Sequence, residues 1–251
     1  MPTRVVVSGA GGKLATPIIS AIDMADDLEL SGLFKPNRAG QELGGQIVAG
    51  NPSDISGDVV VETSHPGHVF DNLESWNSAG IATVVGTSGF TEERLGRLAD
   101  MWGTDGPACL VVPNFSIGAV LMMEFARTAA RYFEAIEVVE RHHSTKPDAP
   151  SGTALATAMG VAAGGGSSVP GTDELVSGVR GGDVAGVRVH SLRLPGLISR
   201  QEVAFSNPGE LLSVEHMSTS YESFARGAIL AIHRVGGLDP GVHLGLASLL
   251  E

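Results

Sequence analysis

A strand that is apolar at every position has no face to offer to water. Residues 4–8 contain the trio Val5-Val6-Val7, and residues 58–62 repeat it as Val59-Val60-Val61. Such runs belong in a sheet covered on both sides, built from parallel strands joined by helices. The intervening sequence agrees with this. Helical patterns occupy 13–24, 69–79 (with Leu73 and Trp76 facing inward) and 91–102. Further strands read at 28–34, 81–85 and 108–112. This alternation predicts an α/β fold whose N-terminal part is a doubly wound, Rossmann-like parallel sheet.

After Pro113 the pattern changes. A long helix rich in Met and Ala is expected over 117–133, a strand over 135–140, and a small-residue helix over 154–160. Strands follow at 187–194, 198–206 and 211–217, with turns at Gly196 and Pro208-Gly209, and a final helix spans 221–234. A run of strands after alternating units predicts a central α+β domain with a mixed or antiparallel sheet. The expected division is a dinucleotide-binding domain over 1–114, completed by 221–251, and a second domain over 115–220.

The first strand runs into Gly9-Ala10-Gly11-Gly12-Lys13-Leu14-Ala15. Leu14 stands where G-x-G-x-x-G would place its last glycine, so only a looser G-x-x-G-x-x-A form is met. Between a strand and a helix, Gly9 and Gly12 allow a tight turn and close approach of a pyrophosphate to the helix N-terminus. A glycine-rich structural turn is the competing reading. The second strand ends in Phe34-Lys35-Pro36-Asn37-Arg38, without the acid that would hold a ribose 2′-hydroxyl. Lys35 and Arg38 are candidates for a 2′-phosphate, which favours NADPH over NADH. Two more loops follow strands at their carboxyl ends: Gly86-Thr87-Ser88-Gly89-Phe90 and Pro113-Asn114-Phe115-Ser116. Gly86, Thr87, Ser88, Pro113, Asn114 and Phe115 are candidates for holding the nicotinamide and its ribose.

The densest chemistry lies in Glu140-Arg141-His142-His143-Ser144-Thr145-Lys146-Pro147-Asp148-Ala149-Pro150-Ser151-Gly152-Thr153-Ala154. A helix opening at Ser151-Gly152-Thr153 offers N–H groups and partial positive charge to a carboxylate or phosphate. Lys146 adds a full charge, and His142 and His143 titrate near neutrality. Together they describe a site for a small anion that is protonated during reaction. Taken singly, these elements are also what an ordinary loop and helix cap would use. A metal cage is poorly supported. Adjacent histidines in extended chain diverge, no cysteine lies nearby, and His65 and His68 sit in a loop-like segment.

The chain has 251 residues and a net charge of −12, which argues against nucleic acid as a partner. Its single cysteine, Cys109, lies in an apolar strand and reads as a small buried hydrophobe. No apolar run reaches membrane-spanning length, and the N-terminus lacks the pattern of a signal peptide, so a cytoplasmic protein without membrane partners is expected.

The segment from His142 to Ala154 closely resembles the signature H-H-x-x-K-x-D-A-P-S-G-T-A of the 4-hydroxy-tetrahydrodipicolinate (dihydrodipicolinate) reductases. The resemblance extends to residues 9–15, 86–90 and 113–118, and residues 190–215 resemble the actinobacterial branch. It implies hydride transfer from NAD(P)H to C4 of a cyclic dicarboxylate, with loss of water, in lysine and diaminopimelate synthesis. It further implies that His142 donates the proton, with Lys146 as second candidate. His143, Ser151, Gly152 and Thr153 would hold the substrate, and residues 115–220 would carry the contacts of a homotetramer. Three departures stand out: Ala15 replaces a frequent glycine, Tyr221 replaces a usual arginine with Arg226 nearby, and the second strand lacks its acid. A reductase of another dicarboxylate, or a non-catalytic dinucleotide sensor, would share the fold. The doubled histidine with the complete Ser-Gly-Thr turn argues against the first, and the presence of both His142 and Lys146 against the second.

Overall fold

The computed structural model describes residues 1–169, 171 and 173–250. The chain divides into two compact units, residues 1–116 with 221–251, and residues 117–220. In chain order the regular elements are β1 (Thr3–Ser8), α1 (Ala15–Asp23), β2 (Leu28–Phe34), β3 (Glu42–Leu43), β4 (Gln46–Ala49), β5 (Val59–Glu62), α2 (Val69–Ser78), β6 (Ala82–Val85), α3 (Glu92–Trp102), β7 (Ala108–Val111), α4 (Ile117–Ala129), β8 (Ala135–His142), α5 (Gly152–Ala163), β9 (Gly182–Val184), β10 (Val187–Arg193), β11 (Ser199–Asn207), β12 (Glu210–Ser218), α6 (Ala225–Val235) and β13 (Gly241–Leu244).

In the first unit the sheet order is β13-β7-β6-β5-β1-β2-β4-β3, parallel except where β3 pairs with β4. Val5, Val6 and Val7 pair with Val59, Val60 and Val61. All six are at most 3% exposed, because helices cover both faces as the unbroken valine runs require. Strand order reverses at β1, whose neighbours are β2 and β5. Ligands of such sheets bind in the crevice beyond the carboxyl ends there. One core cluster packs Phe34, Leu73, Trp76, Leu98 and Trp102 together, and Phe34 meets Trp76 edge-on at 5.5 Å. Short β3 and β4 and the terminal β13 are additions to the sequence reading. At two to four residues each, they are too short to show a period.

The second unit is a five-stranded mixed sheet, β12-β11-β8-β10-β9, with β8 in the centre. β10 runs parallel to β8, and β11 antiparallel to it. One face follows the period of two along β8. Ile136 and Val138 are buried with Val189, Val203 and Phe205, and residues of α4 and α5 complete this core. The same face continues to Glu140, which is fully buried, and ends at His142. The strand therefore runs two residues beyond its expected end and carries His142 on regular sheet rather than on a loop. Likewise α5 begins at Gly152, two residues earlier than its apolar pattern suggests, because Ser151 caps it: the Ser151 hydroxyl accepts from Ala154 N at 3.1 Å.

Candidate active site

In the first unit, the loop after β1 turns on two glycines in the left-handed region, Gly9 at φ +87° and Gly11 at φ +74°. A Cβ on Gly9 would lie 2.7 Å from the hydroxyl of Thr63, which itself donates to Ser8 O at 2.6 Å. The loop is thus pinned against the end of β5. A Cβ on Gly11 would lie 2.6 Å from an Arg38 guanidinium nitrogen, so Arg38 reaches the glycine loop although 27 residues separate them in sequence. Lys35 is half-buried, with its backbone bonded to Ala49 O. Lys13 is exposed and points toward the Tyr221 ring, 6.0 Å from its centroid. Both line an open cleft of about 810 Å³ between α1 and α6, with Arg226 on its wall. Bare backbone, a helix N-terminus and a neighbouring guanidinium are the groups that a pyrophosphate and a ribose phosphate need.

The two later loops are locked to one another and to the sheet. Gly86 N donates to Glu62 O at 2.8 Å, and the Thr87 hydroxyl to Ser64 O at 2.8 Å. Asn114 Oδ1 accepts from Ser116 N at 2.8 Å, making the tight turn after Pro113. Phe115 is 2% exposed. Its ring edge fills the space beside Gly86, where a Cβ would sit 2.3 Å from it and 3.2 Å from Leu14. Ser88 and Pro113 are exposed. Behind these loops, the buried Glu62 carboxylate takes bonds from Ser64 N (2.8 Å) and Trp76 Nε1 (3.0 Å).

In the second unit, His142 Nδ1 lies 2.5 Å from Glu140 Oε2. Burial pushes the Glu140 carboxyl up, but hydrogen bonds from His142, Arg193 and Ser191 outweigh that and hold it down at about 2. Glu140 is therefore ionised and can only accept, so Nδ1 carries the proton and Nε2 is the ring's other nitrogen. Arg193, opposite His142 in the β10–β8 register, donates to Glu140 Oε2 at 3.0 Å, and its second terminal nitrogen lies in ion-pair contact with Oε1 at 2.9 Å. The same guanidinium donates to Asp148 O. The Asp148 carboxylate grips Lys146 Nζ at 2.8 and 2.9 Å. Burial raises the Asp148 pKa, but the bond and charge of Lys146 outweigh this and bring it below its usual value. His143 turns the other way, its Nδ1 2.8 Å from the Thr145 hydroxyl. On the far side, Gln201 of β11, paired with Glu140, donates to the Thr157 hydroxyl at 2.7 Å. Thr157 in turn donates to Thr153 O at 2.8 Å. The first turn of α5, with Gly152 exposed at its tip, is thereby tied to the sheet that carries His142. Imidazole, ammonium and helix N-terminus together suit binding a carboxylate and delivering a proton near it.

The sequence matches the family described as dihydrodipicolinate reductase in both halves, its N-terminal region over residues 3–115 and its C-terminal region over 118–250. The chain belongs to the dihydrodipicolinate reductase family. It is accordingly an oxidoreductase, and the family comprises NAD(P)H-dependent reductases of lysine biosynthesis. It is 44% identical to the 4-hydroxy-tetrahydrodipicolinate reductase of Mycobacterium sp. (strain JLS), covering 99% of each chain. The Streptomyces griseus enzyme of the same name is 42% identical, with 99% of this chain and 98% of the relative covered. A dipicolinate-bound dihydrodipicolinate reductase from Paenisporosarcina sp. TG-14 superposes with a TM-score of 0.84 at 33% identity, covering 99% of both chains. An amine dehydrogenase from Mycobacterium smegmatis, at 13% identity and TM-score 0.64, shares the fold alone.

Several residues that build these arrangements escape sequence reading. Glu140 carries one local signal, since it sits two positions before His142 on the same strand face. Arg193, Gln201 and Thr63 carry none, because strand pairing brings them in from 51, 59 and 54 residues away from His142, His142 and Gly9.

Proposed function

We propose that this dihydrodipicolinate-reductase family member reduces 4-hydroxy-tetrahydrodipicolinate to tetrahydrodipicolinate, with NADPH preferred over NADH. The observation that carries the reading is one cluster on the second unit: the Glu140-held imidazole of His142, the ammonium of Lys146, and the capped N-terminal turn of α5. Ser151, Gly152 and Thr153 hold one substrate carboxylate through N–H and hydroxyl groups, and His143 with Lys146 helps fix the anion. A bound reduced nicotinamide supplies the hydride. His142 delivers the accompanying proton from Nε2, with Lys146 the second candidate, and Glu140 stabilises the imidazolium before transfer.

Gly9, Gly12, Lys13 and Leu14 form the pyrophosphate cradle, and Arg38, lying against Gly11, meets a 2′-phosphate with Lys35 beside it. Gly86, Thr87, Ser88, Pro113, Asn114 and Phe115 shape the nicotinamide end. Phe115 does so as a buried wedge and Thr87 as a clamp between loops. Residues 1–114 with 221–251 serve the dinucleotide, and 115–220 serve the substrate and a homotetramer. The enzyme works in the cytoplasm. No helix among the described residues is long and apolar enough to cross a membrane.

The test is a coupled assay in which dihydrodipicolinate synthase, pyruvate and aspartate semialdehyde supply the unstable substrate. NADPH oxidation clearly faster than NADH oxidation supports the whole reading. Equal rates keep the reaction and remove the role of Lys35 and Arg38. No oxidation of either, with cofactor binding demonstrated, refutes the reaction.

A further inference from the structure

We infer that Glu140 and Arg193 are positioning residues for the reaction: Glu140 fixes the His142 imidazole, and Arg193 fixes both Glu140 and the segment that carries Lys146. This rests on the reading that His142 and Lys146 act on the substrate. Glu140 is fully buried at the end of an otherwise apolar strand face. A buried ion pair contributes little to stability compared with well-packed apolar side chains, so packing alone gives no reason for a carboxylate here. Its geometry does. One oxygen accepts a hydrogen bond from His142 Nδ1–H, which fixes the tautomer and ring plane and leaves Nε2 as the nitrogen for exchange.

Arg193 then adds a side-chain tie between two pieces of chain already joined by a turn, in which Lys146 N donates to His143 O at 3.1 Å. One guanidinium nitrogen donates to Glu140 Oε2, and the other makes an ion-pair contact with Oε1. Through the Asp148 carbonyl Arg193 holds the loop whose own carboxylate grips Lys146. One planar guanidinium thus braces, on top of that turn, both the carboxylate behind the proton donor and the segment that carries the ammonium. Lysine, a point donor on a flexible stem, cannot reproduce that three-way geometry. Charged and titratable groups beside this assembly include Asp148 and Lys146, which pair with each other, His143, which bonds to Thr145, Arg141, which faces Glu202 at 3.7 Å, and Arg200, which pairs with Glu215.

The test uses the full-length enzyme in the coupled assay, with Glu140→Gln, Arg193→Lys, His142→Gln and the double variant Glu140→Gln/His142→Gln. Glu140→Gln and Arg193→Lys should each lower kcat by about 10²-fold, the lower end of what a positioned acid contributes. The KM for NADPH should be unchanged. In ¹⁵N-histidine spectra, the single Nδ1–H form of His142 should give way to mixed tautomers in Glu140→Gln. The double variant should be no slower than His142→Gln alone, because a residue that acts through the imidazole has nothing to position once the imidazole is gone. Arg193→Lys keeps the charge and tests the same link should Glu140→Gln fail to fold. If both variants keep kcat within about twofold of wild type while His142→Gln is inactive, the positioning role is overturned and the reaction assignment stands. Additive losses in the double variant overturn it equally. Near-normal turnover in His142→Gln refutes instead the reading on which it rests.

Discussion

The Glu140 carboxylate should make the second unit acid-sensitive by an amount the structure sets. Its pKa falls from a reference value of 4.5 to about 2, because three donors outweigh the cost of burial. A depressed carboxyl pKa stabilises the native state fully above the unfolded value, and that stabilisation is lost as pH falls through the folded one. Each pH unit of difference is worth about 1.4 kcal/mol, so at neutrality the ionised carboxylate favours the native state by about 3 kcal/mol relative to its own protonated form, of which about 2 is gone by about pH 3. The perturbation is Glu140→Gln, which cannot titrate. Both tryptophans, Trp76 and Trp102, lie in the first unit, so tryptophan fluorescence does not report on this site. Urea titrations should instead be followed by circular dichroism, which includes the strands of the second sheet. The stability gap between wild type and Glu140→Gln should shrink by about 2 kcal/mol between about pH 6 and about pH 3. Other carboxylates, Asp148 among them, titrate in both proteins and cancel to first order. A gap that stays constant across this range would refute the argument.

Three further outcomes are expected. His142→Gln and Lys146→Ala should each depress turnover about 10²–10⁴-fold with unchanged circular dichroism, as loss of an acid or of its anchoring cation requires. Arg38→Ala should weaken NADPH binding about 10–100-fold, the worth of a charge-assisted hydrogen bond, and leave NADH binding unchanged, which titration calorimetry with each cofactor would measure. Gly86→Ala drives a methyl to 2.3 Å from the buried Phe115 ring and should cost about 1–3 kcal/mol in thermal unfolding, with partial recovery when Phe115→Leu opens the space.

The outline of the fold was legible because its signals are local. Three consecutive valines, twice, require a doubly covered sheet, and the strand–glycine–helix order places the β1 loop at the ligand edge. What was not legible is either short or non-local. β13 has four residues and joins the sheet edge through β7, and β3 and β4 pair over two positions, so neither gives the alternation that marks a strand. The end of β8 hides in the sequence for a related reason. Polar Arg141 and His142 look like loop, yet the sheet keeps them paired with Arg200 and Ser199.

The site shows where local reading stops. In the sequence, Lys146 looks like a cation waiting for an anion, and its position beside two histidines and a helix start supports that. In the structure Lys146 is held by Asp148, and Arg193, a second cation nearby, is held by Glu140. Lys146 and Arg193 are therefore each already paired with a carboxylate. A chain of net charge −12 must repel a dicarboxylate at long range. In the proposed site the dicarboxylate is therefore held by directed donors at short range, the turn at Ser151, Gly152 and Thr153, the hydroxyls and the imidazoles, together with the ammonium of Lys146. A motif written in one segment can name those donors. It cannot state their orientation, which depends on Glu140 behind the histidine and on an arginine delivered by a strand 53 residues farther along the chain.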